Sequence, residues 1–327
     1  MPVTLAQATV GMANKTDQKV IDTIRKNSRL MDKLTFDDDQ APGTGGATLT
    51  YSYTQLLTPG EAHGRKINTE YTPAEATRTT KHTNLVILGG SYQIDRVIAK
   101  NTSKAINEVA FQNEQKAVAT AQRFQYLAIH GDYTTSAATN DPEFDGLDVL
   151  LNGTANDFDA SATGNVIDLS GTMTEAKAEA IAEQLDIVNA SVMGGKPDAY
   201  FVNSRLKAKL LAAARKLGYY SQSPDGFGKQ ADYYNGIEII DLQEYSNGAT
   251  TVDVIPVTGG KTNLYAVRFG MDALHGVTPT GTGVGLETHL PNFNDAGAVK
   301  TGDVEMVVGL VLKNTRTCAR IKDIKIA

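Results

Sequence analysis

The sequence predicts an α+β fold, and three stretches predict it. Residues 91–130 carry small and apolar residues at near-helical spacing. Residues 47–88 alternate with a period of two on either side of a Gly/Pro-rich tip. Residues 174–269 interleave two amphipathic helical patterns with short apolar runs. Helices and strands that succeed one another without regular βαβ alternation point to a small central sheet with helices packed on it, not to a doubly wound parallel sheet.

Composition narrows the class. The chain has 327 residues, 41% hydrophobic and 21% charged, enough apolar material for one large domain or two. Acids and bases are interspersed and the net charge is −6, so the basic excess or patch of a protein that grips nucleic acid by its phosphates is missing. A single cysteine, Cys318, rules out an internal disulfide framework and points to a reducing compartment. The longest apolar run, around residues 306–312, is far too short to cross a bilayer, and Met1 leads into a polar stretch unlike a secretory signal. Cytoplasmic synthesis is expected.

From the N-terminus, residues 17–34 read as a short amphipathic helix, with Val20, Ile24 and Met31 on one face and Lys19, Arg25 and Lys26 outside. Asp37-Asp38-Asp39 and the following Pro42, Gly43, Gly45 and Gly46 read as a solvated linker. The acidic run lacks the alternating ligands and closing Glu of a calcium loop. Ala47, Leu49, Tyr51 and Tyr53 then face one way and Thr48, Thr50, Ser52 and Thr54 the other. A Thr-rich return strand over 74–88 ends in Leu85-Val86-Ile87-Leu88. The outer half of this hairpin has too few apolar residues for a core of its own, so the arm is expected to rest on a neighbouring subunit.

Gly89-Gly90 is read as the turn into one long helix over 91–130. Ile94, Ile98, Ala105 and Val109, with Ile106, Ala110, Ala117, Ala121, Phe124 and Ala128, mark its apolar positions. Ser91 is expected to cap it, Asp95 to suit its first turn, and Gly131 to end it in a left-handed conformation. About 35 residues would make a rod roughly 50 Å long. Phe144-Asp145-Gly146-Leu147 follows a polar loop, and residues 152–172 read as loop. Helices are expected over 174–190 and 204–217, the second closed by Gly218. Strands are expected over 199–202, 237–240, 252–257 and 264–269, and in the alternating run from 303 to 326.

Chemistry is not signalled. Gly260-Lys261-Thr262 ends like a P-loop, but Ile255 stands where the motif needs glycine. The glycines at 281, 283 and 285 do not open a helix. Gly89-Gly90-Ser91-Tyr92-Gln93 misses the nucleophile elbow because Gln93 replaces its last glycine. Cys318 lies on an apolar strand and reads as a core residue. His63, His82, His130, His275 and His289 show no metal-ligand spacing. No catalytic, cofactor-binding or metal residue is assigned, and the chain is not expected to be an enzyme.

The order of these parts, above all Leu85 to Asp95 feeding a long helix and Phe144-Asp145-Gly146-Leu147 after it, resembles the major capsid proteins of tailed bacteriophages. Their Hong Kong 97 fold is shared by encapsulin shells. The resemblance covers nearly the whole chain. It implies an N-terminal arm (1–46), an extended hairpin loop (47–88), a peripheral domain with a spine helix (89–135, completed by 301–327) and an axial domain (136–300). It also implies hexamers and pentamers that close into an icosahedral shell around double-stranded DNA, in a virion assembled in the host cytoplasm. The DNA would be held weakly and without sequence preference. A portal, a decoration protein and a separate scaffolding protein become expected partners, and no membrane. Many relatives begin with a cleaved scaffolding segment, whereas this arm starts almost at Met1. Some relatives cross-link a loop lysine to a neighbour's asparagine; Lys66 and Asn314 are the positions to inspect, although a solvated lysine and a turn asparagine are the favoured reading, since most relatives do not cross-link. An encapsulin-like compartment, or more remotely an α+β enzyme with dispersed carboxylates, remains the alternative.

Overall fold

A computed structural model describes residues 29–40, 49–101, 107–162, 166–218, 221–224, 230–279 and 286–327. The chain enters through α1 (Arg29–Lys33), β1 (Phe36–Gln40), the hairpin strands β2 (Thr50–Thr58) and β3 (Thr77–Asn84), and β4 (Val86–Asp95). Helices α2 (Arg96–Asn101), α3 (Glu108–His130), α4 (Tyr133–Ser136) and α5 (Leu147–Leu150) follow. Next come β5 (Asp157–Asp159), α6 (Glu175–Ser191), β6 (Ala199–Val202) and α7 (Ser204–Leu217). Strands β7 (Ser221–Pro224), β8 (Gln230–Tyr234), β9 (Ile237–Asp241), β10 (Glu244–Ser246), β11 (Thr251–Asp253), β12 (Lys261–Val267), β13 (Leu274–Pro279), β14 (Glu287–His289), β15 (Val299–Leu312) and β16 (Ala319–Lys325) complete it.

Two sheets organise these elements. One runs β5-β16-β12-β6-β9-β8-β7; in the other, β15 is flanked by β13 and β14 and also pairs with β4, while β1 joins β13 in parallel. Because side chains alternate across a strand, the seven-stranded sheet feeds two cores at once. Phe201, Ile240, Tyr265 and Val267 point into a cluster with Phe124, Leu127, Ile129 and Leu147. Tyr200, Val202, Ile239, Leu264 and Ala266 point into a second, under Ile181, Leu185 and Val188 of α6 and Leu206 and Leu210 of α7. The expected α6 and α7 are present, Thr174 capping the first and Gly218, at φ 74°, closing the second.

The long helix is shorter than expected. Residues 91–95 belong to β4, which pairs with β15 through ten consecutive positions, from Val86↔Val308 to Asp95↔Val299. Its buried residues Val86, Leu88, Tyr92 and Ile94 follow a period of two. The four-residue step from Ile94 to Ile98 imitated a helical stripe. Ser91 caps nothing, and Asp95 instead caps α2 by accepting the Val97 N–H at 2.8 Å. Asn107 caps α3, whose 23 residues span about 35 Å. Residues 102–106, and with them the expected helical positions Ala105 and Ile106, lie outside the described residues.

Further expectations change. Gly131 has φ −55° and ψ 141°, not a left-handed conformation. It is glycine because a Cβ there would lie 2.1 Å from the Phe144 carbonyl oxygen. Gly89-Gly90 is no turn: both residues sit within β4, and a Cβ on Gly89 would lie 2.2 Å from the Val304 carbonyl oxygen. Leu85-Val86-Ile87-Leu88 does not finish the hairpin, since β3 stops at Asn84 and β4 turns to β15. The acidic run is part of strand β1, with the Phe36 ring lying on Gly276, while the rest of the expected linker, with Pro42, Gly43, Gly45 and Gly46, lies outside the described residues. Of the expected helix over 17–34, residues 17–28 fall outside the described residues, as does the glycine loop 281–285. The strand expected over 252–257 ends at Asp253, although Val254 and Ile255 are buried, and the stretch read as loop contains β5. β15 and β16 part company, one in each sheet.

Candidate assembly surfaces

Among the described residues, the hairpin stands on the body at its base alone. The alternation read from the sequence holds at Tyr51, buried with Leu85, Val277 and Val311, and at Tyr53, which packs against that group; Leu49 is exposed, and Ala47 and Thr48 lie outside the described residues. The Tyr53 hydroxyl donates to the Leu312 carbonyl at 3.3 Å and the Gln55 amide to that of Lys313 at 3.2 Å. Tyr51 donates to Asp37 at 3.2 Å, its ring meets His275 edge-on, and the Lys313 ammonium lies 5.5 Å from the Tyr51 ring centre. Past Gln55 these contacts cease. Leu56, Leu57, Ile67 and Tyr71 are 62%, 67%, 89% and 59% exposed. Covering a large apolar side chain is worth about 1.5–3 kcal/mol, so the outer arm has a standing preference for another surface.

The tip nonetheless holds a shape. Thr69 donates to the Lys66 carbonyl through its N–H at 3.2 Å and its hydroxyl at 2.8 Å. Arg65 donates to the Thr69 carbonyl at 3.2 Å and lies 5.4 Å from the centre of the Tyr71 ring. Thr–Thr and Ser–His pairs across the strands, Thr77 to Thr58 at 2.9 Å and Ser52 to His82 at 2.8 Å, stiffen the shaft without a core.

Lys66 is an exposed tip residue. Asn314 is engaged within its own chain: its oxygen accepts the Arg316 N–H at 3.0 Å and its amide lies 3.3 Å from the Met193 sulfur. The Gly260-Lys261-Thr262 stretch is a turn entering β12, with Thr258 bridged to Lys261. Cys318 is fully buried, and burial pushes its thiol up to about 12. The five histidines are dispersed: His63 and His82 on the arm, His289 on β14, His130 and His275 inside. Among the described residues no group of three His, Cys, Asp or Glu could hold a metal ion. An open cleft of about 440 Å³ between α3, β4 and the β10–β11 turn is lined by Ile87, Lys116, Arg123, Asp141 and Tyr245. Arg123 there binds Asp141 and Glu143, both at 2.8 Å, an ion-pair arrangement without a nucleophile–base pair.

One buried polar network escaped the sequence. Arg320 on β16 grips Asp157 with Nε and Nη2 at 2.8 and 2.9 Å and Asp148 with Nη1 at 2.9 Å. The Tyr265 hydroxyl donates to Asp148 at 2.6 Å, and His130 meets its other oxygen at 2.7 Å. Burial works against ionisation of both carboxylates, but the donors around them hold both below the usual carboxylate value. Directly bonded partners are up to 172 residues apart, so no local motif could reveal them.

No protein-family model and no curated protein match the chain. Solved structures do. The holo-SrpI encapsulin complex of Synechococcus elongatus PCC 7942 aligns with a TM-score of 0.65 over 99% of this chain and 97% of its own, at 14% identity. The capsid of Myoviridae phage XM1 aligns with a TM-score of 0.62 over 95% and 96%, at 12% identity. The capsid of the native GTA particle gives 0.62 over 96% of each chain, also at 12% identity. The chain has the α+β Hong Kong 97-like fold, across nearly its entire length.

Proposed function

We propose that the chain is a major capsid protein whose copies close into the icosahedral head shell of a tailed, double-stranded DNA phage. The observation that carries this reading is the arm: a hairpin, seated at its base, that exposes Leu56, Leu57, Ile67 and Tyr71 beyond support from the described residues of its own chain. Solved phage capsids with the same fold and nearly the same length support it. Each arm would lie over the next subunit, and many individually weak contacts would make the closed shell stable. The domain division proposed is arm 1–46, hairpin 47–84 (shortened from 88, since β4 belongs with β15), peripheral part 85–135 with 301–327, and axial part 136–300, with β16 reaching from the peripheral segment into the seven-stranded sheet. Hexamers and pentamers, a portal, separate scaffolding and decoration proteins, and weakly held DNA belong to the same proposal. So do the virion location, assembly in the host cytoplasm and the absence of an enzymatic role.

An encapsulin-like compartment is the second reading, favoured by the 0.65 TM-score of the encapsulin alignment. Negative-stain microscopy with light scattering, with and without the neighbouring genes expressed, tests assembly; portal and terminase genes nearby favour the phage, a cargo-enzyme gene the compartment. Shortening the hairpin between Leu56 and Tyr71 is expected to abolish shells and leave the subunit folded. A shortened chain that still closes into normal shells would sink the arm mechanism. A monomer under every condition would sink both shell readings.

A further inference from the structure

We propose that His130 is a proton-controlled clasp, tying the last turn of α3 to α5 and to the segment after β11, and that it opens when the imidazole loses one proton. The ring is held at both ends. Nδ1 lies 2.7 Å from an Asp148 carboxylate oxygen and Nε2 2.7 Å from the Val254 carbonyl oxygen. Asp148 also accepts from the Tyr265 hydroxyl at 2.6 Å and from Arg320 at 2.9 Å, which keeps it an ionised acceptor. Both partners of the ring therefore only accept, so both ring nitrogens must donate, and only the imidazolium carries two N–H groups. A neutral imidazole, in either tautomer, turns one nitrogen lone pair toward an oxygen lone pair. One of the two ties is lost.

The surroundings hold the proton in place. Asp148 faces the ring from α5, Glu143 from the segment before it, and Tyr126 from α3 itself, its ring centre 5.0 Å away. Behind Asp148 stand Tyr265 of β12 and Arg320 of β16, the latter committed to Asp157, which Lys322 also approaches at 3.4 Å. Tyr245 stacks on Tyr126 at 4.7 Å, and Arg123 lies over both rings. The segment after β11 contributes the Val254 carbonyl. Burial opposes the charge on His130, but the Asp148 bond and charge, the Val254 carbonyl and Glu143 outweigh it and raise the proton affinity above the ordinary histidine value.

A raised folded value gives a clasp that is closed below about pH 6.5 and lost as pH rises through the folded value. His275 has the opposite sign. Burial lowers its proton affinity, so its neighbourhood weakens only as pH falls. The inference stands on the single subunit and does not depend on the shell reading.

Hydrogen exchange of the full chain between pH 6 and 8.5, followed by mass spectrometry and corrected for intrinsic exchange, tests it. Opening at peptides spanning 127–131 and 252–256 is expected to increase up to about tenfold for each pH unit between the ordinary histidine value of about 6.5 and the raised folded value, and to level off above it. Peptides spanning 274–279 and 181–188 are expected to stay level. His130→Gln, which has no proton to lose, is expected to remove the rise. A level wild-type profile at 127–131 and 252–256, a rise shared equally by all peptides, or an unchanged rise in His130→Gln would each overturn the proposal. The wild-type comparison decides alone if the variant does not fold.

Discussion

Replacing Arg320 by Met removes the guanidinium and keeps most of the side-chain volume. The Arg320 side chain is 8% exposed and that of its partner Asp157 4%. After the substitution Asp157 retains Lys322 at 3.4 Å and the Gly153 N–H at 3.2 Å, while Asp148 retains His130 and Tyr265. Removing one member of a buried pair costs about 3–5 kcal/mol, mostly as the penalty of the charge left behind. The remaining partners place the loss near the lower end, at about 3 kcal/mol at pH 7. Urea unfolding of the subunit followed by far-UV circular dichroism reads this directly. Adding Asp157→Leu removes the stranded charge, so Arg320→Met/Asp157→Leu is expected to be more stable than Arg320→Met alone. A single variant within about 1 kcal/mol of wild type, the range of an exposed pair, would refute the reasoning. So would a double variant no more stable than the single. The network also sets the acid limit: Asp148 and Asp157 titrate below their ordinary value, so their contribution is complete above about pH 4 and is lost as pH falls through the folded values.

Two further outcomes follow from burial and close approach. Cys318, fully buried with its thiol pushed up to about 12, is expected to stay inert to a thiol reagent at pH 8 until the chain unfolds; labelling in native buffer at the rate of an exposed thiol would contradict its placement. Gly276→Ala would put a Cβ 2.4 Å from the Phe36 ring, at a cost of about 1–3 kcal/mol, and is expected to release β1 to limited proteolysis while the seven-stranded sheet stays protected. Unchanged cleavage near residues 36–40 would count against it.

The sequence was most legible where a local pattern met a local cause. Thr174 and Gly218 mark helix ends by their own chemistry, and Tyr51 and Tyr53 alternate because one face of the hairpin base is covered. It misled at residues 85–95, where Gly89-Gly90 read as a turn and Ile94 as the start of a helical stripe. What decides there is β15, more than 200 residues away, whose pairing makes a strand of Gly89 because a bulkier residue would meet the Val304 backbone. The acidic run at 37–39 misled in the same way: β13 recruits it. The exposed arm could be read because a hairpin without a core is visible in composition. The Arg320 network could not, because each member alone is an ordinary charged residue.

The placement of β15 and β16 also dictates when a newly made chain can fold. β4 waits for residues 299–308 to complete its ladder, and the seven-stranded sheet lacks the strand between β5 and β12 until residues 319–325 exist. Met306, Val308 and Leu310 complete one core, and Ile321 and Ile324 the other. Neither half can finish early, so during synthesis the hairpin and its apolar tip are displayed by a chain that still lacks both cores. Pairings this distant in sequence make folding slow, and unfinished chains of this kind are prone to stick to one another. Completion of the fold is thus deferred until translation has passed residue 325, and the interval before that point is when the chain most needs shelter from its own copies.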